Sequence, residues 1–158
     1  MSLNTALFLS THFTRVDGKG RVSFPAPFRS ALALRNSQGV VIFSTPADSA
    51  IDGVTVERMQ QMAIALESLT LFSQERAFYE TAIFGAAHDL QIDREGRCSL
   101  PKALLDKAGI DSDVAFVGRG STFQIWNPIK LDQRTAEATE AVKTGALAFP
   151  TLPAGTLL

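Results

Sequence analysis

Basic side chains cluster around one glycine-containing turn near the start of the chain. The segment RVDGKGRVSFP (residues 15–25) carries Arg15, Lys19 and Arg21, with Asp17 as its single acidic residue. An exposed two-stranded ribbon with a basic tip can enter the major groove of DNA, where Arg and Lys contact phosphates and guanine edges. These residue types therefore favour binding of a polyanion, although a solvated turn that merely carries charges is the simpler alternative.

A variant of this segment returns as QIDREGRCSLP (residues 91–101), with Asp93 lying 76 positions after Asp17 (93 − 17). The copies differ where Arg15 becomes Gln91 and Lys19 becomes Glu95, so the net charge is +2 over residues 15–21 and 0 over residues 91–97. This difference makes the first copy the better candidate for a polyanion contact.

The residues that both copies share are typical of a β-hairpin turn. With a three-residue loop, the common glycine falls at a left-handed position, which predicts turn-structural roles for Gly20 and Gly96. The same register predicts these cross-strand neighbours: Val16 with Val22, Ile92 with Cys98, Asp17 with Arg21 and Asp93 with Arg97.

Helix and strand patterns follow each copy in the same order. PAPFRSALAL and PKALLDKAG predict short helices, and GVVIFS and DVAFVG predict buried strands. TFQIW predicts a further strand, whose counterpart near Ile51 is poorly marked. Between the copies, residues 54–71 and 74–84 have helical spacing, with Ser73 as a predicted cap, and Asn127-Pro128 opens another helix.

Composition limits the classes of protein that fit. The chain has 158 residues, 46% hydrophobic and 20% charged, which is typical of globular proteins. The net charge of −1 conceals an uneven distribution, because residues 1–40 carry +4. We expect a cytosolic protein, since no apolar run reaches the roughly 20 residues of a membrane span and the start lacks the basic residues of a secretory signal.

Enzyme chemistry is not expected. His12 and His88 have no partners at metal-ligand spacing, and no nucleophile motif occurs. GRGS (residues 118–121) is a weak match to a dinucleotide loop and is better interpreted as a turn. We therefore predict no metal, no cofactor and no small-molecule substrate. The single cysteine, Cys98, excludes an internal disulfide.

Three segments, VDGKGRVSFPAPFR, FGAAHDLQIDREGRCSLP and VGRGSTFQIWNP, resemble the MraZ family of bacterial transcription regulators over about residues 8–130. The resemblance implies an α+β fold in which two AbrB-like swapped-hairpin half-domains form one small pseudo-symmetric β barrel with flanking helices. It also implies a closed homo-oligomeric ring, for which an octamer is one candidate size. Such a ring would bind tandem repeats in the promoter of the division and cell-wall gene cluster as a nucleoid-associated cytoplasmic repressor.

The family's D-x-x-x-R DNA-contact motif transfers onto Asp17 and Arg21, with Arg15 and Lys19 beside it. The second copy supplies Asp93 and Arg97, with Arg94 in its turn. The implied segments are half-domain 1 (residues 8–54), a helical connector (55–84), half-domain 2 (85–130), a C-terminal helix (131–142) and a tail (143–158) that has no charge after Lys143 and is either disordered or lies on a neighbouring subunit. An AbrB-like antitoxin and a structural ring without regulatory DNA binding remain the alternatives.

Overall fold

Eight strands and five helices make up the fold in a computed structural model that describes residues 6–145 and 147–156. The strands are β1 (Thr11–Arg15), β2 (Arg21–Ser23), β3 (Val40–Ser44), β4 (Ile51–Thr55), β5 (His88–Leu90), β6 (Arg97–Ser99), β7 (Asp113–Gly118) and β8 (Phe123–Trp126). The helices are α1 (Ala26–Leu34), α2 (Val56–Leu66), α3 (Gln74–Tyr79), α4 (Lys102–Lys107) and α5 (Pro128–Lys143), and a π-helical turn, Glu80–Phe84, follows α3. The α+β class predicted from the sequence is confirmed.

The sheet is built by exchange of strands between the two repeats. Its order is β1-β7-β8-β4-β3-β5, with every neighbouring pair antiparallel. The first strand of each repeat thus pairs with the third strand of the other repeat. Equivalent residues meet twice, Val22 opposite Cys98 and Ile51 opposite Ile125, which places an approximate two-fold axis through both contacts.

The predicted barrel is not closed. Among the described strands, β1 and β5 are the two edges of the six-stranded sheet, and β2 and β6 form a separate two-stranded ribbon. Because the pairing ends at these edges, the sheet does not close on itself, whereas the swapped pairing that the resemblance implies is present.

Two of the cross-strand pairs predicted within the hairpins, Val16 with Val22 and Ile92 with Cys98, are wrong. Val22 lies opposite Cys98 of the other repeat, not opposite Val16, and Ile92 does not face Cys98. The two strands of the hairpin separate directly after the turn. The backbone N–H of Val16 donates to Ser112 C=O at 2.7 Å, and β1 pairs with β7 from there on. The buried faces of both repeats consequently contribute to one core.

Five phenylalanines occupy the centre of that core. Phe8, Phe24, Phe28, Phe116 and Phe123 are at most 2% exposed. Their ring centroids lie 5.2–6.5 Å apart in edge-on and tilted arrangements. Such aromatic pairs add stability beyond the area that they bury. Since the rings come from the segment before β1, the residue after β2, α1, β7 and β8, they connect both repeats.

The poorly marked strand near Ile51 is β4, and a ring from the other repeat explains how it packs. Gly53 lies opposite Phe123, and a Cβ added to Gly53 would lie 2.2 Å from the Phe123 ring. The Phe123 ring of β8 therefore occupies the space that a side chain at position 53 would need. A pattern read along β4 alone does not reveal this partner.

The predicted helices are present, most of them with shorter bounds, whereas α5 (Pro128–Lys143) extends beyond the predicted residues 131–142 at both ends. The Ser73 hydroxyl accepts from Arg76 N–H at 3.2 Å and caps α3, as predicted. The described residues divide into two compact units after Pro128. In the second unit, Arg134 and Glu137 form an ion pair at 3.6 Å on α5, and residues 147–156 contain no helix or strand. The predictions for residues 1–5, 146 and 157–158 lie outside the described residues.

No helix in the part of the chain that the structure describes is long and apolar enough to cross a membrane.

Candidate nucleic-acid interface

The two turns have the same backbone geometry. In the first, an Asp17 carboxylate oxygen accepts from the backbone N–H groups of Lys19 and Arg21, both at 2.9 Å, and Gly20 N–H donates to Asp17 C=O at 3.0 Å. Gly20 has φ +80° and Gly96 has φ +83°, the left-handed conformation predicted for them. The aspartate shapes the turn, and the glycine closes it.

Asp93 repeats these contacts in the second turn. Its carboxylate oxygen accepts from the N–H groups of Glu95 and Arg97 at 2.9 Å each, and Gly96 N–H donates to its carbonyl at 3.0 Å. Both aspartates therefore stabilise their turns through backbone hydrogen bonds, independently of any other contact that they make.

The arginine side chains differ between the copies. The Arg21 guanidinium donates to Asp17 at 2.7 Å, as predicted. The backbone N–H and then the guanidinium of Arg21 hold the pKa of the Asp17 carboxyl below its usual value. The predicted Asp93–Arg97 ion pair is wrong, because the Arg97 guanidinium lies 3.6 Å from Glu95 instead. Glu95 occupies the position that Lys19 has in the first copy. This difference explains why Arg97 contacts Glu95, whereas Arg21 contacts Asp17.

The β2–β6 ribbon has one polar face and one apolar face. Its buried face consists of Val22 and Cys98, and burial raises the pKa of the Cys98 thiol to about 12. Arg21 and Arg97 are exposed on the opposite face, where Arg21 lies opposite Ser99 and Arg97 opposite Ser23. Strand alternation thus puts two arginines, related by the approximate two-fold axis, on one outward surface.

Arg15, Lys19 and Arg94 are exposed around this surface. The Arg15 guanidinium lies 3.2 Å from Asp113, but the two side chains are 80% and 66% exposed. An exposed pair of this kind is worth only about 0–1 kcal/mol, so a phosphate can displace the carboxylate at little cost. Lys19 and Arg94 form no ion pair with another described residue.

The turns lie at opposite ends of the ribbon. Leu100 N–H donates to Gly20 C=O at 2.8 Å, and Phe24 N–H donates to Gly96 C=O at 2.7 Å. The two contacts lie four residue steps apart, at Gly20 and Phe24, which corresponds to about 13 Å at the rise of an extended strand. Arg21 and Arg97 therefore lie diagonally across the ribbon, on either side of the central Val22–Cys98 pair, while Lys19 and Arg94 lie in the turns at its two ends.

Sequence reasoning missed one basic residue that the strand exchange brings to the second turn. Arg29 is half-buried on α1, and a Cβ added to Gly96 would lie 2.6 Å from its Cζ atom. The signal that could have found it is its repeat equivalent, which is the buried Leu105 of α4. An arginine in place of a core leucine implies that the first helix faces something that the second does not.

The fold and the surface together define a class of protein: a duplicated, strand-exchanged hairpin chain that presents an arginine-bearing β-ribbon. No cluster of metal-ligating side chains occurs among the described residues.

Comparison with known proteins gives the family. The sequence model of the family described as "MraZ protein, putative antitoxin-like" matches residues 83–146. Similar proteins named "Transcriptional regulator MraZ" include those of Pelagibacter ubique (38% identical over 80% of this chain and 82% of the relative) and Xanthobacter autotrophicus (39% over 86% and 87%). That of Rickettsia canadensis is 38% identical over 77% and 82%. The chain belongs to the MraZ family.

Proposed function

We propose that this protein is a sequence-specific DNA-binding regulator of transcription that grips the major groove with its β2–β6 ribbon. The observation that carries the proposal is the outward pair Arg21 and Arg97, flanked by the exposed cations Arg15 and Lys19. Guanidinium groups on a ribbon can contact guanine edges and phosphates. The printed name of the relatives, transcriptional regulator, supports the same role and a non-enzymatic one.

Repression would follow from many weak contacts made at once. One ribbon offers few phosphate contacts, so a single subunit should bind poorly. A closed homo-oligomeric ring would engage successive repeats in the promoter of the division and cell-wall gene cluster, and tethering raises affinity by roughly 10² to 10⁴. Occupied repeats would then exclude polymerase from the promoter, which places the protein on the nucleoid in the cytoplasm.

Removing the basic tip should weaken DNA binding without unfolding the protein. We expect Arg15→Ala/Lys19→Ala to lower affinity for the DNA upstream of its own gene, whereas Glu95→Ala should not weaken it. Loss of two phosphate contacts should also reduce the slope of log K against log salt by about 2. Fluorescence anisotropy across a salt titration measures both quantities.

The matched control is Arg58→Ala/Lys107→Ala, which removes two exposed cations from α2 and α4. It carries the same change in net charge but should leave the salt slope close to that of the wild type. Equal affinity and equal slope for the tip variant and the wild type would refute the basic-tip mechanism.

An antitoxin role is the second candidate, because the matched family description contains the words "antitoxin-like". A toxin encoded beside this gene should then be neutralised when the two proteins are produced together. Growth arrest that this chain does not relieve would exclude this role.

A further inference from the structure

The strand exchange equalises the charge at the two ends of the ribbon. Residues 91–97 alone carry no net charge, but the guanidinium of Arg29 lies against Gly96 and brings the second turn to +1. At the first turn, Asp113 pairs with Arg15 and lowers the charge of residues 15–21 from +2 to +1. Each end thus receives an ionic side chain from the other repeat, which the sequence difference between the hairpins conceals.

The Arg29 guanidinium is positioned to bind an anion. Its Nε atom is buried and has no hydrogen-bond partner among the described atoms. A buried donor without an acceptor is costly. Arg29 also lines a groove, where a phosphate oxygen would be a strong acceptor for the guanidinium N–H groups that reach it. A Cβ at position 96 would lie 2.6 Å from the Arg29 Cζ atom, so a side chain in place of Gly96 would displace the guanidinium from the turn.

The surroundings of Arg29 open toward the ribbon. Arg29 lines a groove with His12, Thr14, Ser23 and Glu95. Ser23 is exposed on the outer face of β2, directly opposite Arg97. A phosphate in this groove would therefore lie beside the arginine-bearing face. The Glu95 carboxylate also lines this groove and repels an anion there. The side chains of Glu95 and Arg97 are 72% and 58% exposed, so the ion pair between them is weak.

We infer that Arg29 is a DNA phosphate-binding residue, so that one subunit contacts the DNA backbone at both ends of its ribbon. This inference rests on the proposed DNA-binding function and deepens it. The second turn then takes part in binding through a residue of the first repeat, and Glu95 limits the affinity of that end.

Arg29→Met tests the inference, because methionine retains the apolar stem and removes the guanidinium. We expect affinity for the upstream DNA to fall roughly tenfold and the salt slope to fall by about 1. Lys107→Met is the matched control, since it removes one exposed cation from α4, and should leave the slope unchanged. Glu95→Gln should raise affinity in the wild type and by a smaller factor in the Arg29→Met background.

A measurement on the wild type covers the case in which Arg29→Met does not fold. The Arg29 Nε–H resonance in a ¹⁵N spectrum should shift when a short duplex of the upstream DNA is added. Resonances of Arg21 that shift while Arg29 stays fixed would overturn the inference alone, as would unchanged affinity and slope in a folded Arg29→Met variant. Absence of any DNA binding by the wild type would overturn the proposed function as well.

Discussion

Asp17 places a carboxylate within the surface that we propose to bind a polyanion, and local geometry explains its presence there. Asp17 accepts two backbone N–H groups and the Arg21 guanidinium, so it fixes the turn and aims the arginine at the same time. A residue without a carboxylate or amide oxygen would lose the turn contacts. The cost is one negative charge near the DNA, which the neighbouring cations outweigh.

The Asp17–Arg21 contact should make stability depend on pH. The pKa of Asp17 is lowered in the folded protein from a usual value near 3.8, so its stabilisation is present above that pH and is lost as pH falls through the folded pKa. Asp17→Asn keeps an oxygen for the backbone contacts but loses the charge. We expect wild type to exceed Asp17→Asn in unfolding free energy at pH 7, with the difference shrinking below about pH 3.8, as urea titrations would measure.

A double-mutant cycle isolates the arginine contribution. In an Arg21→Met background, the guanidinium contact is absent, so Asp17→Asn should cost less at pH 7 than it does in the wild type. An equal cost in both backgrounds would show that Asp17 stabilises the turn through the backbone alone.

At the scale of elements, the weak strand β4 depends on a side chain from the other repeat. Phe123 covers Gly53, and the ring is fully buried among four other phenylalanines. Since the ring has no free volume to move into, an added methyl group must push the strands apart or displace the ring.

Gly53→Ala should therefore destabilise the protein by about 1–3 kcal/mol, the usual cost of overpacking a core. Gly18→Ala is the control, because a Cβ there meets nothing within 4 Å, and it should change stability by less than about 0.5 kcal/mol. Chemical denaturation measures both. Equal stability of the two variants would mean that β4 can shift to accept the methyl group.

The sequence predicts most of the helices and strands, but it does not predict which strands pair with each other. Helices after Pro25 and Pro101, the strands over GVVIFS and DVAFVG, and the left-handed glycines follow from local patterns. The partner of Val22 does not, because alternation buries the same side chains whether β2 pairs within its hairpin or with β6. Arg29 was missed for the same reason, since its position against the second turn exists only after the strands exchange.

On the scale of the whole molecule, large apolar side chains remain uncovered in the helical connector. Ile64, Leu71, Phe72 and Phe78 are between 61% and 94% exposed. Exposure on this scale is typical of interaction surfaces and supports the proposed association of identical subunits. Association would also set the spacing of the ribbons along DNA.

Leu71→Ser/Phe72→Ser should reduce the mass in solution from a multiple of 17.0 kDa toward that of one chain, as light scattering would measure. If the ring supplies avidity, this variant should lose roughly 10² to 10⁴ in affinity for DNA with several repeats. Its affinity for DNA with one repeat should stay the same, which serves as the internal control. A wild-type chain that is monomeric at the concentrations used for binding would contradict the ring.

The exchange of first strands also constrains how the protein is made. β1 has its ladder partner in β7, about a hundred residues later, and β2 has its partner in β6. A nascent chain that has left the ribosome only as far as α3 therefore carries two strands with no surface to join. The hairpin of β3 and β4 can form within the amino-terminal repeat, but β1 and β2 can pair only after the carboxy-terminal repeat has been translated, so each half completes the other.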